Sequence, residues 1–312
     1  MIPKEINYLL SHPAHACFLV CSVETLRHHS PDIPINLHAW PESAMSPRER
    51  RHCTINSVDI CQEIAKAYDN VQVVVASPGQ KARKRHLIHK IELMQKRGGM
   101  LIDADTLINN PIEEFFNHAQ NWEITTTQFC DWYTNKPIMV TRIKRLLDIE
   151  GIEHEYVNQA ITNPYPSPNV GVFACTKDSW IMEEWRDWSI KAAGVFIADE
   201  TTFQCLQIKY ADQVNVLLGG KYNCSTMRYQ PKGLEDDDVV VWHGHGASFV
   251  RPEKAVRGHA MWFHIFKQFL ETNKCKAKEW SPLCNNHRLP PFLDPTYEPE
   301  KVDHPYKDYV VK

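Results

Sequence analysis

Asp103 and Asp105 flank Ala104, and two carboxylates at that spacing can share one divalent cation with a phosphate group. A nucleoside diphosphate leaves readily only when its charge is neutralised, and a Lewis-acidic cation does that. Mg²⁺ or Mn²⁺ suits such an oxygen-rich ligand set. Spacing alone means little, since about one such tripeptide is expected by chance in a chain of this size. Asp236-Asp237-Asp238 fits it too. That second run lies in a polar loop, where a solvated acidic turn is the plain reading.

His243-Gly244-His245-Gly246 follows an apolar run, Val239 to Trp242. A neutral imidazole suits Mn²⁺ better than Mg²⁺, and glycines let backbone approach a phosphate closely. The alternative is two ordinary loop histidines. Arg251 follows where a guanidinium could clamp a phosphate. Asp199 and Glu200 form a carboxylate pair at a predicted helix start. Asp199 is either a plain N-cap, with Thr202 three residues on, or a carboxylate for sugar hydroxyls. Both readings stay open. Lys81, Arg83, Lys84 and Arg85, with Lys90, are candidate phosphate contacts or a solvated helix face. Trp180, Trp185 and Trp188 share an amphipathic helix, which predicts core packing for the last two. Trp132 and Tyr133, in a loop, are the better candidates for stacking on an acceptor sugar.

Elements must bring these residues together. Residues 6–11, 33–40 and 71–77 read as strands, the last dense in β-branched residues. Residues 14–29 read as a buried helix. Residues 57–68 read as another, with Val58, Cys61, Ala65 and Tyr68 at helical spacing. This alternation predicts an α/β domain with a largely parallel sheet. Residues 84–97 place Leu87, Ile91 and Met94 on one helix face, with cations in the last turn and Gly98 just beyond. The short apolar run Met100-Leu101-Ile102 then ends on the aspartates. That puts them at the carboxyl end of a parallel strand, where open α/β sheets bind ligands. Asn110, Pro111 and Glu113 predict a capped helix directly after. Further strands are expected at 122–128, 169–175, 214–218 and 239–242, and helices at 178–193 and 258–270. A tail holding six of the 20 prolines closes the chain.

The chain has 312 residues, 43% hydrophobic and 23% charged, which is ordinary globular composition. A net charge of −3 gives no basic surplus for nucleic acid or an anionic membrane. No run reaches the length of a transmembrane helix, and the first residues lack a signal-peptide layout. The ten cysteines include no CxxC pair. Cys17, Cys21, Cys61, Cys175 and Cys205 lie in apolar runs as small core residues, which predicts a reducing, cytoplasmic setting. Cys275, Cys284 and His287 lack an evident fourth zinc ligand. Asn223-Cys224-Ser225 reads as a chance glycosylation sequon.

Five of these features occur in a recognisable order. Gly98-Gly99 with Asp103-Ala104-Asp105, then Thr106-Leu107, Asn169-Val170-Gly171-Val172, Asp199-Glu200, and His243 with Gly246 together resemble glycosyltransferase family 8. This is the family of glycogenin-like and galactosyltransferase-like enzymes. The resemblance spans roughly residues 6–252. It implies a GT-A fold over residues 1–270, with 271–312 as a Pro-rich extension. It implies an enzyme that moves a sugar from a nucleotide-diphosphate donor to an acceptor hydroxyl, as of a glycan, with retention of configuration. Mn²⁺, or Mg²⁺, would be held by Asp103, Asp105 and His243. Asn169, Asp199 and Glu200 would serve the transferred sugar. Ser11, His12, Lys90, Ala104, Gly246 and Arg251 would contact the rest of the donor. Two positions depart from the pattern: Leu87 replaces an expected aspartate, and Arg251-Pro252-Glu253 stands for a Lys-Pro-Trp displaced by two residues. A nucleotidyltransferase would instead carry a Gly-rich basic loop after its first strand, and Leu10-Ser11-His12-Pro13 is not one. A non-catalytic glycan-binding relative would lack one of the three metal ligands.

Overall fold

The computed structural model describes residues 1–41, 56–77, 85–129, 137–162, 167–226, 234–244, 256–272 and 302–311. In chain order the elements are β1 (Ile6–Leu10), α1 (Ala16–His29), β2 (Ile35–Ala39), α2 (Ser57–Ala67), β3 (Val71–Val75), α3 (Arg85–Arg97), β4 (Gly99–Ile102) and β5 (Thr106–Ile108). There follow α4 (Glu113–Ala119), β6 (Ile124–Gln128), α5 (Pro137–Lys144), α6 (His154–Thr162), β7 (Pro168–Cys175), α7 (Trp180–Lys191) and α8 (Ala198–Lys209). The last are β8 (Val214–Leu217), α9 (Gly219–Tyr222), β9 (Cys224–Ser225), β10 (Val241–His243) and α10 (Val256–Thr272). The fold is α/β, as the alternation of patterns predicts. Two compact units divide the chain.

The first unit comprises Met1–Glu5, Arg83–Ile102 and Glu113–Asn223. Its strands run β4-β7-β6-β8. β4 and β6 both pair antiparallel with β7, and β6 pairs parallel with β8. The aspartates were expected after a parallel strand; the pairing of β4 with β7 is antiparallel, so the sheet here is mixed. The core gathers Ile91, Met94, Leu101, Phe173, Trp185, Trp188, Phe203 and Leu206. Each large apolar side chain buried this way contributes about 1.5–3 kcal/mol. Trp185 and Trp188 are core residues, as their helical spacing predicts, while Trp180 is half-exposed. Gly98 ends α3 with φ +71°, and its N–H donates to Met94 O at 2.7 Å. A Cβ there would lie 2.6 Å from the backbone nitrogen of Lys177. Both conformation and space therefore require glycine.

The second unit comprises Ile6–Ala82, Asp103–Ile112 and Cys224–Lys312. Here β1, β2 and β3 form a fully parallel set in the order β3-β2-β1. α1 is buried at every position from Ala16 to Leu26, so it is a core helix rather than an amphipathic one. α2 buries Ile60, Cys61 and Ile64; the expected stripe through Val58 and Ala65 is rotated by part of a turn. A second small sheet, β5-β10-β9, pairs β5 antiparallel with β10 and β10 parallel with β9. Part of the C-terminal extension docks in this unit. Gln268 of α10 accepts from Val311 N at 2.8 Å and donates to Tyr309 O, and Tyr306 is buried. Cys275, Cys284 and His287 lie outside the described residues. Among the described residues no helix is long and apolar enough to cross a membrane.

Candidate functional site: an Asp-Asp-His group and a buried carboxylate cluster

The second unit brings Asp103, Asp105 and His243 together. His243 Nε2 lies 3.2 Å from Asp105 Oδ1 and 3.9 Å from Asp103 Oδ2. One ligand atom from each of the three falls within 4.8 Å of the others. The imidazole is almost fully buried, the Asp105 side chain is 14% exposed and the Asp103 side chain 37%. Two hard carboxylates and one borderline imidazole, reaching solvent on the Asp103 side, fit an ion such as Mn²⁺ or Mg²⁺ that is shared with a ligand.

The small sheet makes this convergence. Thr106 pairs with His243 across the antiparallel ladder of β5 and β10. Residues 138 apart in sequence become neighbours. The ladder continues past the strands, where Gly244 N–H donates to Asp105 O at 2.7 Å. The expected means of closure, parallel strand ends in the main sheet, is replaced by this separate antiparallel pair. The expected helix cap at Asn110 is also corrected. α4 begins only at Glu113, and the Asn110 amide donates instead to the carbonyls of Asp237 and Val239. Long-range acceptors have won the side chain from the local helix end.

Asp236-Asp237-Asp238 forms a single 3-10 turn. Asp236 pairs with Arg257, and Asp238 accepts from the Glu235 N–H at 2.9 Å. Burial pulls the Arg257 guanidinium below its usual pKa. The Asp236 and Asp238 carboxylates serve local structure.

The first unit holds the other predicted residues. Asp199 was open between helix cap and ligand. It sits inside α8 rather than at its cap, which is Ile197 at φ +48°. A β-branched residue in that region is strained and held by its surroundings. Asp199 is 1% exposed, and Lys90 Nζ lies 2.9 Å from its Oδ2. Lys90 also donates to Val170 O at 3.3 Å. Glu200 is buried beside it in α8. Asn169 is buried in β7, and its Oδ1 accepts from Gly171 N at 2.8 Å and from Asn223 Nδ2 at 2.9 Å. Asn223 also donates to Thr127 Oγ1 at 2.7 Å. Asn223 thus orients the Asn169 amide, a role no sequence signal revealed. Its burial at 1% exposure agrees with the chance reading of the sequon.

Ser11 and His12 are half-buried just past β1, where His12 O accepts from His15 N at 3.0 Å. Ala104 is buried between the two aspartates. Gly246, Arg251, Trp132, Tyr133 and the basic residues Lys81, Arg83 and Lys84 lie outside the described residues. The cysteines predicted to be core are buried. Burial pushes the Cys17 and Cys205 thiols up to about 12, far from a reactive thiolate.

No protein-family model and no curated protein matches the sequence. Solved structures do match. A galactosyltransferase, LgtC, crystallised with donor and acceptor sugar analogs, aligns with a TM-score of 0.51 at 12% identity, covering 84% of this chain and 95% of that one. The fold is that of a GT-A glycosyltransferase. At this identity the likeness speaks for the fold alone, and it bears out the expected GT-A fold. The bifunctional glycosyltransferase WbbM matches at TM-score 0.48 and 11% identity, over 85% of this chain and 51% of that one. Mouse xyloside xylosyltransferase 1 matches at 0.46 and 12%, over 78% and 97%. At those scores neither adds weight to the GT-A assignment.

Proposed function

We propose that this chain is a metal-dependent glycosyltransferase that moves a sugar from a nucleotide-diphosphate donor to an acceptor hydroxyl, such as that of a glycan. The convergence of Asp103, Asp105 and His243 carries the reading. These are the three residues the family 8 resemblance assigns to the metal, and they meet although they are far apart in sequence. A cation bound there supplies Lewis-acid neutralisation of the departing diphosphate. Mn²⁺ is the favoured ion because an imidazole is among the ligands.

Asp199, Glu200 and Asn169 are assigned to the transferred sugar. A buried carboxylate and a fixed amide recognise hydroxyls strongly, since either left unpaired costs free energy. Lys90 Nζ, 2.9 Å from Asp199 Oδ2, holds that carboxyl group in place in a buried setting. Ser11, His12, Gly246 and Arg251 are assigned to the rest of the donor. No second carboxylate is assigned as a general base. Retention of configuration follows from the resemblance, with the leaving phosphate taking the acceptor proton.

A panel of nucleotide sugars, incubated with the full chain in Mn²⁺, Mg²⁺ or EDTA, tests the reading. The expected result is one donor that is hydrolysed or transferred with Mn²⁺ and not with EDTA. That donor also raises the melting temperature, by mass action on the folded state. A melting shift without turnover would favour a binding protein, and turnover that survives EDTA would overturn the metal assignment.

A further inference from the structure

We infer that Tyr8 is a positioning residue for the metal-binding turn, acting through Ser22 and Thr106 on the backbone of Asp103. This rests on the metal reading above and adds a residue to it.

Three hydroxyls form an unbroken line inside the second unit. Thr106 Oγ1 donates to Asp103 O at 3.0 Å. Ser22 Oγ lies 2.7 Å from Thr106 Oγ1, and Tyr8 OH lies 2.9 Å from Ser22 Oγ. All three side chains are completely buried. The proton sense of the line is fixed by counting. Each hydroxyl has one proton to give. Thr106 spends its proton on the Asp103 carbonyl, so it must accept from Ser22. Ser22 has then spent its own and must accept from Tyr8. Burial raises the Tyr8 phenol far above its ordinary range, so its proton is present at any working pH. Tyr8 is therefore the head of a one-way relay that ends on a ligand residue's peptide group.

That end point matters for function. Asp103 is the most exposed of the three ligand residues, and its carboxylate must be held closely for a metal site to work. The ladder between β5 and β10 fixes Thr106 against His243, and Gly244 N–H holds the Asp105 carbonyl. The relay supplies an anchor on the Asp103 side, from β1 and α1. Outer partners of this kind govern metal affinity by about 10–100-fold.

The test is direct Mn²⁺ binding to the full chain, read from the loss of the free-ion spin-resonance signal. Tyr8→Phe keeps the ring and removes the head of the relay. The expected result is a fall in Mn²⁺ affinity of about 10-fold or more. Thr106→Val should weaken binding at least as much. The double variant should bind no worse than Thr106→Val alone, because both act along one line. Tyr68→Phe, which removes a phenol bonded to Glu24 in the same unit, should leave Mn²⁺ affinity unchanged and controls for simple destabilisation. If wild type binds Mn²⁺ and Tyr8→Phe matches it, this inference is overturned while the metal site stands. Losses that add in full in the double variant would also overturn it, since Tyr8 would then not act through Thr106. If wild type binds no Mn²⁺, the metal reading itself falls and takes the relay with it.

Discussion

Asp103-Ala104-Asp105 and Asp236-Asp237-Asp238 offer carboxylates at the same spacing, and both belong to the second unit. In the first run the two side chains converge on one buried imidazole. In the second they are dispersed. Asp236 is taken by Arg257, Asp238 closes a capping box with Glu235, and the backbone carbonyls of Asp236 and Asp237 hold the amides of Asn109 and Asn110. The difference lies in what faces each run. A carboxylate that meets a resident cation or an N–H is already satisfied. The first run instead brings two carboxylates and an imidazole within reach of one point, the arrangement proposed above to hold a cation. The two runs are also joined physically. Asn109, just past β5, donates to both Asp236 O and Val239 O, so the acidic turn helps hold the strand that positions the metal group.

The largest expected effect sharpens this contrast. Asp105→Ala removes the proposed ligand nearest His243, and Mn²⁺ affinity should fall by about a thousandfold, equivalent to several kcal/mol of lost ligand interaction. Transfer should fall with it. Titration of Mn²⁺ by calorimetry checks the first and donor turnover the second. Wild-type affinity in this variant would break the comparison at its root, because the first run would then be no more a ligand than the second.

Asp199 shows a third fate, and the next largest effect. It is buried against Lys90, a cation of its own chain. Removing one partner of such a pair leaves an uncompensated charge, which costs about 3–5 kcal/mol. Lys90→Met should lower stability by that much in chemical denaturation. Replacing both, as Lys90→Met with Asp199→Leu, should recover most of the loss, since an apolar pair of similar volume is often neutral. Donor turnover should stay low in both variants. A double variant that regains full activity would show that the pair holds the fold and has no part in sugar recognition.

Much of the frame around these groups was legible in the residues. The helix before the aspartates, its glycine stop and the buried strand rest on local rules: helical spacing, a left-handed stop, a short apolar run. Each acts within about ten residues. Trp185 and Trp188 were legible as core for the same reason. The failures share a different cause. Asn110 and Asp199 carry good local cap chemistry, yet each is claimed by a partner far along the chain. Asn110 goes to carbonyls 127 and 129 residues away, and Asp199 goes to Lys90. β5 and β10 have three residues each, too short for a period-two pattern to register. The ladder that brings Asp105 and His243 together was therefore invisible, although both residues were named from their motifs. The same holds for Asn223, whose partners Asn169 and Thr127 lie 54 and 96 residues away, and for the line from Tyr8, in which Ser22 and Thr106 are 84 residues apart.

The smallest expected effect tests the second run directly. Asp236 and Arg257 are each about a quarter exposed, so their attraction is partly screened. Pairs of this kind are worth about 0.2–1 kcal/mol. Arg257 also lies 5.0 Å from the centre of the Trp242 ring, a contact that Asp236→Ala leaves in place. The guanidinium can turn toward water when its partner goes, so no charge is stranded. Asp236→Ala should therefore lower stability by less than about 1 kcal/mol, and the difference from wild type should shrink as salt is raised. Mn²⁺ affinity should not change. A tenfold loss of affinity would mean that the turn acts on the metal group through Asn109 and β5. The two aspartate runs would then be parts of one device rather than a site and its control.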